Sequence, residues 1–209
     1  VKTADDLRRA ASNDHQPLKT LNLILSEDSD ISELAELILS LKDVKRVIIS
    51  CPEPAWSSEL LEDMFEAFGQ LPKLKSVKLK YLGYEDENSF PINLLAVTLS
   101  QPNCEIHSLI LNEVCLLDDN DAFAEFAEII KCQSSMRRFC IDHCIIAEDP
   151  LDTCTGLSPV VSAVSYMPTI KQVALKVEED EGELGVLRSH ALGKLLQSTS
   201  LETLHLDGI

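Results

Sequence analysis

Seven glycines in 209 residues leave little material for loops that cradle phosphates, and Gly-x-x-x-x-Gly-Lys, Gly-x-Ser-x-Gly and His-Glu-x-x-His are all absent. No apolar run approaches the roughly 18 residues that a membrane span needs. Basic residues are outnumbered: 18 Lys and Arg stand against 35 Asp and Glu, a formal net charge of −17, and such a chain repels phosphate backbones and anionic lipid at long range. Neither nucleic acid, nor a membrane, nor a small-molecule substrate is therefore an expected partner. Aromatics are also few, at 5% with a single tryptophan. What is present in quantity is apolar: 45% of the residues are hydrophobic, too many for a disordered chain.

The seven cysteines (Cys51, Cys104, Cys115, Cys132, Cys140, Cys144, Cys154) are odd in number and lack a pairing pattern, and no stretch reads as a secretion signal. They suit reduced thiols in an intracellular, cytoplasmic protein. Cys140, His143 and Cys144 form the one cluster that hints at metal, but no second Cys-x-x-Cys half follows at zinc spacing, so they read as small buried hydrophobes. No metal and no cofactor is expected. The chain starts at Val1, which suggests a segment of a longer protein.

A repeat organises the whole chain. Seven segments are apolar at their first, fourth and sixth positions: Leu18 to Leu23, Val44 to Ile49, Leu74 to Leu79, Ile106 to Leu111, Met136 to Ile141, Ile170 to Leu175 and Leu201 to Leu206. Their first positions lie 26, 30, 32, 30, 34 and 31 residues apart, a period that suits one supersecondary unit per repeat. The fourth and sixth positions alternate with polar ones, as in a half-buried strand. Between the strands, helical spacing predicts a helix over 31–41, 57–71, 91–101, 122–132, 158–167 and 183–198, and another over 5–11. Asp30 with Glu33 resembles a capping box, and Pro91 suits a first helical turn. Strand and helix alternating at this period give parallel strands with every helix on one side.

The Leu-x-x-Leu-x-Leu spacing with a helix in each repeat resembles the leucine-rich repeats of the ribonuclease-inhibitor-like class, over about residues 18 to 207. That family continues with Asn or Cys and then another apolar residue. Met136-Arg-Arg-Phe-Cys-Ile-Asp-His-Cys144-Ile-Ile146 fits it fully, Cys115 comes one residue late, and Ser26, Pro52, Leu82 and Glu178 depart from it. The resemblance implies an α/β right-handed solenoid, a horseshoe with the parallel sheet on its concave face and the helices on its convex face. Residues 1–209 would form one such domain of about six repeats. The resemblance carries no catalytic residue.

Strand residues at the third, fifth and seventh positions should face away from the helices. The seven seven-residue strand segments hold ten basic residues and three acids, net +7, while the other 160 residues hold eight basic and 32 acidic ones, net −24. An acidic protein thus carries a basic strand surface. The acids gather after the strands, in stretches such as Glu85-Asp86-Glu87 and Glu178-Glu179-Asp180-Glu181. One account is helix-terminus electrostatics with solvated lysines; the other is a floor that receives an acidic segment of another protein. Candidate binding residues on that floor are Arg46, Lys78, Lys80, Arg138 and Lys176. Trp56, with Tyr81 and Tyr84 in the corresponding loop one repeat on, forms an aromatic candidate on the rim, since Trp and Tyr are enriched at interface hot spots. The expected function is a non-catalytic protein-interaction module. The alternative the resemblance allows is the repeat part of a GTPase activator, ubiquitin-ligase adaptor or intracellular immune receptor, with the activity elsewhere.

Overall fold

The computed structural model describes residues 4–11, 17–26, 29–51, 58–82, 89–117, 120–147, 157–177 and 189–207. In chain order the elements are α1 (Ala4–Ala11), β1 (Thr20–Ile24), α2 (Ile31–Leu39), β2 (Arg46–Ser50), α3 (Ser58–Gly69), β3 (Ser76–Leu82), α4 (Asn93–Ser100), β4 (Ser108–Leu117), α5 (Asn120–Lys131), β5 (Arg138–Ala147), α6 (Ser158–Ser165), β6 (Gln172–Val177), α7 (Ser189–Leu196) and β7 (Thr203–Asp207). The seven strands lie side by side in sequence order, all parallel. Each strand begins at the third position of its repeat, and like positions pair with like: Arg46 lies beside Ser76, Ser76 beside Ser108, and Ser108 beside Arg138. No described helix is long and apolar enough to cross a membrane.

The period-two pattern explains which side is covered. Fourth- and sixth-position residues, Leu21 and Leu23 through Val173 and Leu175, are buried against the helices. Each such side chain contributes about 1.5–3 kcal/mol. The helices complete the same core with Leu34, Ile38, Phe65, Phe68, Phe123, Phe126 and Val160. Phe65 packs edge-on against Phe68, with ring centroids 5.7 Å apart, and lies 5.6 Å from Phe90. Phe90 itself is fixed by its backbone, whose N–H donates to the Cys115 carbonyl at 2.7 Å. Among the described residues the main packing is between neighbours: strands meet adjacent strands, and helices meet the helices before and after them.

Polar groups stitch one repeat to the next inside this core. The Thr98 hydroxyl, buried, donates to the Phe65 carbonyl at 2.6 Å, and Gln133 Nε2 donates to the Leu99 carbonyl at 2.8 Å. On the strand side, Ser135 Oγ donates to the Ile106 carbonyl at 3.1 Å and Thr169 Oγ1 to the Met136 carbonyl at 2.7 Å. A buried carbonyl left without any donor costs about 1–3 kcal/mol; Leu99, in the last turn of α4, is such a helix-end carbonyl, and the other three bonds tie neighbouring repeats together.

Two details of the start signals differ from expectation. Asp30 is the N-cap of α2 and accepts the Glu33 N–H at 2.9 Å, while the Glu33 carboxylate is engaged by the Arg8 guanidinium of α1. Pro91 does not open α4. The helix begins at Asn93, and Pro91 sits in the preceding turn, where its carbonyl accepts the Leu94 N–H at 3.2 Å.

Tyr81, Glu113 and His143, all at the eighth repeat position, have positive φ (54°, 55° and 52°) without being glycine. A left-handed residue interrupts the alternation, so the ninth position turns inward again instead of outward: Leu82, Val114 and Cys144 are all buried. Leu82 lies in register with Val114, and Cys115 with Ile145, so Val114 rather than Cys115 holds the place that Cys144 holds in the next repeat. With the phase reset, β4 and β5 stay paired as far as Leu117 and Ala147.

Candidate protein-binding face

The helix-free side of the sheet presents three rows of residues running across the strands. The third positions give Thr20, Arg46, Ser76, Ser108, Arg138, Gln172 and Thr203; the fifth give Asn22, Ile48, Lys78, Ile110, Cys140, Ala174 and His205; the seventh give Ile24, Ser50, Lys80, Asn112, Asp142, Lys176 and Asp207. At about 4.8 Å per strand, seven strands span about 29 Å. All these residues are exposed or half-buried except Cys140.

The five basic candidates do not form one cluster. Arg46 and Arg138 share the third-position row but stand three strands apart, about 14 Å. Lys80 and Lys176 share the seventh-position row, again three strands apart. Arg46, Lys78 and Arg138 make no ion pair among the described residues. Lys80 Nζ lies 4.6 Å from the ring centroid of Tyr81, a cation–π contact. Lys176 Nζ is 3.7 Å from Asp142 Oδ1, and His143 Nδ1 is 2.9 Å from the same oxygen. Neither contact has hydrogen-bond geometry, and that buried oxygen has no hydrogen-bond partner among the described residues. Of the five candidates Lys176 is thus the one muted by an acid, while Arg46, Lys78 and Arg138 are not so paired among the described residues.

Tyr81 is not in a loop. It is part of β3, half-exposed, and its left-handed backbone is what places it beside Lys80. Trp56 and Tyr84 lie outside the described residues, as do most of the acids that follow the strands.

The residues that the candidate set omitted are those at the second positions. Lys45 N–H donates to the Lys19 carbonyl at 2.8 Å, Lys75 N–H to Lys45 at 2.9 Å, His107 N–H to Lys75 at 2.8 Å, Arg137 N–H to His107 at 2.9 Å and Lys171 N–H to Arg137 at 2.8 Å. Six residues of basic type are thus stacked, one per strand, along the edge where the strands begin. The column ends at Glu202, whose carboxylate pairs with Lys171 at 2.9 Å. Glu105 pairs with Lys75 at 2.6 Å, and Lys75 holds the Glu105 carboxyl below its ordinary range. Burial lowers the His107 pKa, and the charges of Lys75 and Arg137 on either side push it the same way. The second positions are visible in the sequence as four lysines, a histidine, an arginine and a glutamate; only the register reveals them as a continuous file.

Cys140 is the one thiol in these three rows. Burial pushes Cys144 up to about 12 and Cys104 up to about 11, and raises Cys140 as well. Thiolate, the reactive form, is thereby suppressed at all three. Among the described residues no three His, Cys, Asp or Glu side chains converge into a metal-ligand set.

No protein-family model matches the chain, and no curated protein sequence does. Among solved structures the chain is similar to the tropomodulin C-terminal domain of Caenorhabditis elegans, with a TM-score of 0.55 and 12% sequence identity over 81% of this chain and 90% of that one. The likeness is one of fold. With the seven-stranded parallel sheet and its alternating helices, it makes this chain an α/β solenoid of the leucine-rich-repeat type.

Proposed function

We propose that this chain is a non-catalytic protein-binding module that receives an acidic segment of a partner protein on the helix-free face of its sheet. The observation that carries the reading is one of charge. A chain of net −17 keeps Arg46, Lys78 and Arg138 on that face without acidic neighbours in ion-pair contact among the described residues, although acids outnumber bases nearly two to one. Complementary charge of this kind steers association and selects partners more than it adds raw affinity. Lys80 with Tyr81, and Lys176, extend the same surface, and Trp56 and Tyr84 are proposed to border it. A helix between each pair of consecutive strands supports membership of the ribonuclease-inhibitor-like class.

The test is affinity capture with the full chain against the triple reversal Arg46→Glu, Lys78→Glu, Arg138→Glu. Partners retained by the wild type at low salt are expected to be lost from the variant, with the deficit in on-rate and shrinking as salt rises. Retention of the same partners with unchanged salt dependence refutes the reading.

A further inference from the structure

The second-position column and the fifth-position row run parallel across the sheet, and their chemistry differs. The column is basic: Lys19, Lys45, Lys75, His107, Arg137 and Lys171 follow one another at strand spacing, about 24 Å from first to last. The row is largely apolar where it crosses β2 to β6: Ile48, the stem of Lys78, Ile110, Cys140 and Ala174. Ile48, Ile110 and Ala174 remain half-exposed. Three residues of extended strand, about 10 Å, separate row from column, with Arg46 and Arg138 between them.

Folding alone gives no reason for the column. Like charges opposite one another on adjacent strands are destabilising, and in a chain this acidic, alternation of sign down the file would have been the easier arrangement. Its internal neutralisation comes from exposed acids, among them Asp43, which pairs with Lys73 and lies within electrostatic reach of Lys45 and Lys19. Glu105 and Glu202 are exposed partners of Lys75 and Lys171, and exposed pairs of this kind are worth little, so carboxylates from outside can replace them. Lys19, Lys45 and Arg137 have no ion-pair partner among the described residues.

We infer that the column and the apolar row together seat one amphipathic acidic α-helix of a partner protein, lying across the strands from β1 to β6. The inference rests on the proposed protein-binding role and names the shape of the partner. An extended segment laid along the fifth-position row presents every second side chain to the sheet in a single file, so it cannot meet an apolar row and a basic file about 10 Å away at once. A helix carries an apolar stripe with a charged flank beside it, and its width with side chains, about 10–12 Å, matches the separation. One turn rises 5.4 Å, close to the strand spacing of about 4.8 Å, so an acid in each turn meets a cation on nearly every strand. This is recognition of a helix laid on a surface by its i, i+3, i+4 and i+7 anchors.

Three fluorescent 20-residue peptides test it by anisotropy against the full chain: a helix-period peptide with a Leu stripe and a Glu flank, the same peptide with Lys in place of Glu, and a peptide of the first one's composition rearranged to period two. The Glu-flank helix is expected to bind at least about tenfold tighter than either other peptide and to weaken by about fivefold or more between 50 and 200 mM salt. Reversal of Lys45, Lys75 and Arg137 to Glu should cost about tenfold in affinity, whereas Ile110→Ser should lower it with the salt dependence kept. Circular dichroism establishes that both variants are folded. Equal or absent binding of the three peptides, preference for the period-two peptide, or unchanged affinity in the folded column variant each overturns the inference. If partner capture is lost on reversing Arg46, Lys78 and Arg138 but is untouched by reversing the column, this inference fails while the protein-binding role stands.

Discussion

The N–H of Lys75 donates to the carbonyl of Lys45 at 2.9 Å, and the N–H of Ser76 reaches the same oxygen at 3.1 Å. That one acceptor fixes where β3 starts relative to β2, and with it two cations one strand apart. The same pair of bonds recurs at Lys19, His107 is placed by it on Lys75, and Arg137 on His107. Register, not chance proximity, makes the basic file.

His107 gives that file a pH signature. Its neighbours are Lys75 and Arg137 with Glu105 the one acid, and burial together with the two cations keeps its pKa below the ordinary 6.5. The folded chain then binds fewer protons than the unfolded one between the folded value and 6.5, so His107 makes stability rise with pH through that window and fall as it is acidified. An acidic ligand reverses the local field and draws a proton onto the ring. Affinity for the Glu-flank peptide should therefore rise as pH falls from 7.5 to 6, a range in which carboxylates stay ionised. His107→Gln should flatten the profile, and a flat wild-type profile contradicts the placement.

Two glycine-to-alanine substitutions should act in opposite directions. A Cβ at Gly69 would lie 2.4 Å from Gln101 Cγ and 2.7 Å from the Thr98 carbonyl oxygen. The side chain can yield but the backbone oxygen cannot, and Gly69→Ala should destabilise by about 1–3 kcal/mol. At Gly193, inside α7, a Cβ meets nothing within 4 Å, so Gly193→Ala should gain about 0.5–1 kcal/mol of helix propensity. Urea unfolding of the two variants beside the wild type reads both signs.

The left-handed residues at the eighth position carry a cost that substitution can release. Glu113 has φ of 55°, a conformation that costs an L-residue about 1–2 kcal/mol. Glu113→Gly should stabilise by about 0.5 kcal/mol after allowing for glycine's greater freedom in the unfolded chain, and Glu113→Val should destabilise by more than about 1 kcal/mol because β-branching resists positive φ. Thermal unfolding should separate the two by about 3 °C or more. An unchanged midpoint in both would show that the eighth position bears no strain.

Much of this fold can be read from spacing because burial obeys it. Leu21, Val47, Leu109 and Phe139 point inward for the same reason that every second residue of a half-covered strand must, and the helices fall where apolar residues recur at three and four. Tyr81 escaped that logic: period two ends at the eighth position, and the phase reset by a left-handed residue is invisible in a pattern of apolar letters. Spacing alone puts it in a loop, whereas the strand continues through it. The candidate site was legible only as a list of charges. Which cations stand alone and which are muted depends on cross-strand neighbours, as with Lys176 beside Asp142, and neighbours follow from register. The basic second-position residues show the same limit. Six residues some 30 positions apart become one file only when backbone hydrogen bonds set them side by side.

The left-handed turn at Tyr81, Glu113 and His143 has one more effect. In β3, β4 and β5 the inward and outward sets are re-phased separately, and packing among the described residues is chiefly between neighbouring repeats, so an outward residue can change without moving an inward one. The basic file could be erased, lengthened or inverted one strand at a time while the core stayed as it is. Descendants of such a chain could exchange partners by single substitutions, and two solenoids of the same backbone could present surfaces of opposite sign.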